Sequence, residues 1–141
     1  MVWIVSIIIV VLLFVFIKFL MDYSKLRSTI ASQGGIKTIY KMLVDGLLQY
    51  PSARILQDQT DLITIGGTFT DPILNRECGL WSIIIQLAFT KLNVKYHAHI
   101  DLEGGETVEQ MWDFPINMPQ DEILSVIKKK SDEFDVYGVF K

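Results

Sequence analysis

Two histidines and an aspartate alternate along one short segment, His97-Ala98-His99-Ile100-Asp101. In an extended strand, alternate residues share a face, with neighbouring side chains roughly 7 Å apart. Two imidazoles and a carboxylate are ligand types suited to zinc or iron, so His97, His99 and Asp101 are the candidate ligands of a small metal-dependent hydrolase. A catalytic site of that kind needs three ligands and an open position, usually gathered from several strands, and the chain has only two histidines. Lys95 falls on the same face, as expected on the solvated side of a hairpin. The triplet therefore reads first as a solvated face, and no catalytic residue, metal or cofactor is assigned.

The other reactive groups carry less. Cys78 is the single cysteine, and nothing adjacent in sequence would lower its pKa toward that of a nucleophile. The acidic pairs Glu103 and Glu106, Asp121 and Glu122, and Asp132 and Glu133 lack the ligand series of a calcium loop. Neither Gly34-Gly35 nor Gly66-Gly67 is followed by the lysine and hydroxyl of a phosphate-binding loop. The aromatic residues Trp81, Phe89, Tyr96, Trp112 and Phe114 lie on segments expected to pair as strands, where rings serve mainly for packing. If one side of the sheet is left uncovered, Trp81 and Trp112 become candidate partner-binding residues.

Positioning these groups requires elements that the residue pattern supplies. Ile36, Ile39, Tyr40, Leu43, Val44, Leu47 and Leu48 recur at helical spacing, which predicts one amphipathic helix over 36–49, ended by Pro51. Ala53 to Gln57 and Leu62 to Phe69 read as short strands, with Gly66-Gly67 marking a bulge or a close backbone approach. Residues 70–79 read as a loop. From Leu80 to Thr90 the apolar residues Trp81, Ile83, Ile85, Leu87 and Phe89 occupy alternate positions, which predicts a strand with one buried face. Lys91-Leu92-Asn93 reads as a hairpin turn, Val94 to Leu102 as the return strand, and 103–106 as a turn into a strand over 107–114. Asn117 and Gln120 have capping-box spacing ahead of a helix whose apolar side includes Ile123, Leu124, Val126 and Ile127. A short terminal strand is expected over 136–140.

The N-terminal segment differs in kind. Val2 to Ile17 contains no charge and one hydroxyl, Ser6, and Phe19 to Met21 continues the run beyond Lys18. Residues 1–21 match the roughly 20 residues that cross a hydrocarbon core, with Lys18 able to snorkel to the headgroups. No basic side chain precedes the run and no small-residue cleavage site follows it, so the segment is expected to stay as an anchor rather than be removed.

Lys18, Lys25 and Arg27 flank the run on its C-terminal side, which predicts a cytoplasmic domain. Residues 1–54 carry a net charge of +4 and the remainder −7. A basic collar under an acidic body suits a domain standing on an anionic membrane surface and argues against nucleic acid as a partner.

The expected organisation is a transmembrane anchor over 1–21, a juxtamembrane stalk over 22–35 and an α+β domain over 36–141. That domain reads as a helix, a roughly five-stranded antiparallel meander and a second helix. The expected function is a membrane-anchored, non-enzymatic module that binds a partner protein or joins a membrane complex. The alternatives are the metal-dependent hydrolase and a carrier holding an apolar ligand on the sheet.

Overall fold

The computed structural model describes residues 1–71, 73–101 and 105–134. The strand expected over 136–140 and the first half of the turn expected over 103–106 lie outside these residues. The fold class is α+β, as the residue pattern predicts.

The first helix, α1 (Val2–Ser32), is long and apolar enough to cross a membrane. At 31 residues it is about 46 Å long. It stops where the glycines stand. Gly34 and Gly35 adopt φ of 91° and 81°, a left-handed region that suits residues without a Cβ. The Gly35 amide bonds back to the Ile30 carbonyl (2.9 Å) and the Gly34 amide to that of Ala31 (3.1 Å). This is the Schellman pattern, which satisfies carbonyls the helix end would otherwise leave bare.

The helix expected over 36–49 is two shorter ones, α2 (Ile36–Ile39) and α3 (Lys41–Leu47), broken at Tyr40. The break has a specific cause. The Gln120 side-chain amide donates to the Ile39 carbonyl (3.0 Å) and accepts from the Leu43 amide (3.0 Å). Those two backbone groups would bond each other in an unbroken helix, so the inserted amide stands in for the missing link. Gln120 opens α4 (Gln120–Phe134) and is thereby committed to the neighbouring helix, so the expected capping box with Asn117 is replaced by this interhelix bridge. One turn further along α4, a Cβ on Gly46 would run into the Leu124 side chain, so glycine lets α3 and α4 close together.

Among the described residues, five antiparallel strands follow α3 in sequence order: β1 (Arg54–Asp58), β2 (Leu62–Thr70), β3 (Glu77–Ala88), β4 (Lys91–Ile100) and β5 (Glu106–Pro115). The register shifts at Leu56 and again at Cys78, and runs unbroken through Gly66-Gly67. Those two glycines answer to close approach instead: a Cβ on Gly66 would meet Leu56 Cδ1 at 2.7 Å, and one on Gly67 would meet Ser52 Oγ at 2.6 Å.

The alternation in β3 holds as expected through Leu87, with Trp81, Ile83, Ile85 and Leu87 buried. It fails at Phe89. That residue lies in the β3–β4 turn at φ 48° and is 41% exposed, not on the buried face. The hairpin closes at Ala88 and Lys91 with only Phe89 and Thr90 between, so the turn precedes Lys91-Leu92-Asn93. Leu92 explains why: it is fully buried opposite Leu87 and Phe114, and a turn there would expose it.

Helices α2, α3 and α4 cover one sheet face, where Ile63, Ile83, Ile85, Val94 and Tyr96 join Ile36, Leu43, Leu47, Ile123 and Ile127 in a single core. Ile30 of α1 belongs to this core at 2% exposure, so the first helix docks on the domain with its last turns. The opposite sheet face has no helix against it among the described residues.

Candidate functional site

The uncovered face is where the chemistry-bearing residues lie. Strand alternation sends Lys95, His97 and His99 of β4 outward while Val94, Tyr96, Ala98 and Ile100 are buried. Register then fixes their neighbours. Leu80 and Thr107 flank His99, Ser82 and Glu109 flank His97, and Ile84 and Met111 flank Lys95.

His97 and His99 look to different partners. His99 Nε2 is 2.9 Å from Asp101 Oδ1, and its Nδ1 is 2.6 Å from the Thr107 hydroxyl. His97 Nε2 instead approaches Glu109 Oε1 at 3.8 Å, an oxygen that it shares with Lys95 Nζ at 3.7 Å. His99 and Asp101 are thus brought together, but both ring nitrogens of His99 already have partners within the chain. No group of three or more histidine, cysteine, aspartate or glutamate side chains is placed to hold a metal among the described residues. The two imidazoles are partly exposed, at about two-fifths, and their carboxylate contacts are of the surface kind, worth at most about 1 kcal/mol.

Cys78 occupies the irregular step in β3 and is 5% exposed. Burial pushes its thiol above the ordinary value, with the Asp71 carboxylate adding to the shift and Arg76 opposing it. A raised pKa leaves less thiolate and disfavours a nucleophilic role. Ahead of it, the Asp71 carboxylate accepts from the Leu74 and Ile73 amides, which hold it below the usual carboxylate range and order the turn.

Of the two candidate aromatic residues, Trp81 is buried. It is 4% exposed and packs edge-on against Tyr50 at 5.8 Å, because its strand position faces the helices. Trp112 also lies on the helix-covered side, half-buried and stacked on Phe114 at 6.3 Å. The apolar groups that the open face does present are aliphatic: Leu56 at 53%, Leu80 at 61% and Met111 at 68% exposure. Alternation alone marked Leu80 as lying off the core side. Leu56 and Met111 were not legible without the bulge in β1 and the register of β5.

The helical layer carries an open groove of about 590 Å³ between α3 and α4, lined by Ile39, Met42, Gly46, Leu124 and charged neighbours including Lys41 and Asp45. Lys41 and Asp45 pair with each other across one helical turn.

Comparison with protein-family models, with curated proteins and with solved structures finds no match to this chain.

Proposed function

We propose that this chain is a membrane-anchored, non-enzymatic binding module whose domain holds a partner protein close to the bilayer. The observation that carries the reading is the one-sided cover of the sheet. Helices α2, α3 and α4 pack on one face, while the other presents Leu56, Leu80 and Met111 beside the polar cluster of Lys95, His97 and Glu109. Leu56, Leu80 and Met111 would supply apolar contact, methionine being a residue type enriched at interfaces, and the neighbouring charges would set register. The membrane half of the proposal rests on α1, whose apolar residues from Val2 to Ile17 are all exposed. Lys18, Lys25 and Arg27 support a cytoplasmic domain by the distribution of positive charge around such a span.

The test is to solubilise the full chain from its own membrane in mild detergent and to compare its native size with that of Met111→Asp and Leu80→Asp variants. A complex larger than the chain alone, lost in these variants while their circular dichroism is retained, is expected. A complex that survives both substitutions, or no complex at all, sinks the proposal.

A further inference from the structure

The contact between α1 and the domain extends further toward the N-terminus than the core does. Phe19, Tyr23, Leu26 and Ile30 follow one another at steps of four, three and four residues, which puts them on one helix face. Ile30 is buried, and Leu26 packs against the core. The Tyr23 hydroxyl donates to Asp61 Oδ2 at 3.3 Å. The Phe19 and Tyr23 rings lie 5.4 and 6.2 Å from the ring of Phe89 at the tip of the β3–β4 hairpin.

This docking sets where a bilayer can sit along α1. The helix residues before Phe19 extend over about 26 Å, close to the roughly 30 Å of a hydrocarbon core. A membrane edge nearer the N-terminus would leave exposed isoleucines and phenylalanines in water. One nearer the domain would submerge the charged residues of the hairpin end. The edge therefore falls at the level of Phe89.

Phe89 itself is unusual there. Its φ of 48° is a conformation that favours glycine or asparagine, and a phenyl ring at such a position is a true outlier. Lys91 follows two residues on, and pairs in the sheet with Pro115, which brings the 43%-exposed Ile116 to the same rim. We infer that this rim, formed by Phe89, Thr90, Lys91 and Ile116, is a second membrane contact. Its apolar groups enter the boundary between headgroups and acyl chains, and Lys18 and Lys91 lie among the headgroups. The contact holds the domain in one orientation, with the hairpin end against the bilayer and residues 73–76 directed away from it. The inference rests on the anchor reading of α1.

The experiment uses the full chain carrying Cys78→Ala and one new cysteine, at Thr90, Ile116 or Ile73, labelled with an environment-sensitive fluorophore. Each is reconstituted into phosphatidylcholine–phosphatidylglycerol vesicles with and without lipids brominated near the headgroup. Strong quenching at positions 90 and 116 and little at 73 is expected. Protein that floats with the vesicles but shows no more quenching at 90 and 116 than at 73 overturns the second contact and leaves the anchor standing. Protein that does not float removes both.

Discussion

Gln120 and Leu43 are joined by a hydrogen bond from the Leu43 amide to the Gln120 side-chain oxygen, across 77 residues of sequence. With the partner bond from Gln120 to the Ile39 carbonyl, it splices one helix into the backbone ladder of another. Replacing Gln120 by leucine removes both partners from a partly buried site. Each unmet group costs about 1–3 kcal/mol, reduced if α2 and α3 merge and restore the direct bond. The expected result is a stability loss in that range by urea denaturation. A neutral Gln120→Leu would show that the helix re-forms across Tyr40 at no cost.

The two faces of β3 differ in what they bury. Ile85 is fully buried, while its neighbour Gln86 is exposed. Ile85→Ala leaves a cavity and is expected to cost about 2–5 kcal/mol. Gln86→Ala falls within about 0.5 kcal/mol, as an exposed substitution does. Chemical denaturation of both variants decides the matter, and equal losses would reverse the assignment of the faces.

Tyr96 is 1% exposed, and burial pushes its phenol up to about 12, with the Ser131 hydroxyl pulling the other way. A folded-state pKa above the unfolded value means that the unfolded chain releases its proton first as pH rises. The stabilisation is therefore complete below pH 10 and is lost progressively between the unfolded value of 10 and about 12. Its size is on the order of 2–3 kcal/mol. Stability measured against pH should fall over that window, more gently in Tyr96→Phe. Tyr40 and Tyr50, also raised by burial, contribute to the slope that remains.

The end of α1 belongs physically to the domain. Ile30 fills the core, and Gly35 and Ile36 follow it into bonds with Ile30 and Thr60. A fragment that begins at residue 22 is expected to unfold cooperatively, and one that begins at residue 35 to be less stable because Ile30 is gone. Ile30→Ala in the longer fragment should cost about 2–5 kcal/mol. Equal midpoints for the two fragments in urea would show that the helix end adds nothing.

Zinc added to the folded domain is expected to find no stoichiometric site, because both ring nitrogens of His99 already have partners and His97 looks to Glu109. Calorimetric titration checks this. A tight site abolished by His97→Ala and by His99→Ala would restore the hydrolase reading.

Local pattern was enough for whatever depends on neighbours in the chain. An uncharged apolar run of helical length, two glycines that end it, and the alternation of Trp81 through Leu87 each state their structure within a dozen or so residues. The α+β order follows from them, because a strand with one apolar face and a helix with one apolar stripe must cover each other. The solvated character of the histidine face was legible for the same reason: its period is two, and Lys95 shares it.

Other features were decided only in three dimensions, where partners distant in sequence compete. Periodicity cannot reveal that an amide from α4 will break the first domain helix at Tyr40. Nor does alternation say where a strand stops, since Phe89 continues the pattern in sequence and leaves it in space to meet Phe19 and Tyr23. The division of the histidines between Asp101 and Glu109 depends on the register of β4 against β5, and a shift of one residue would turn Glu109 to the opposite face. That the histidine face carries no helix among the described residues was likewise a matter of packing, because a sheet can be covered on both sides and only the placement of α2, α3 and α4 leaves this one bare.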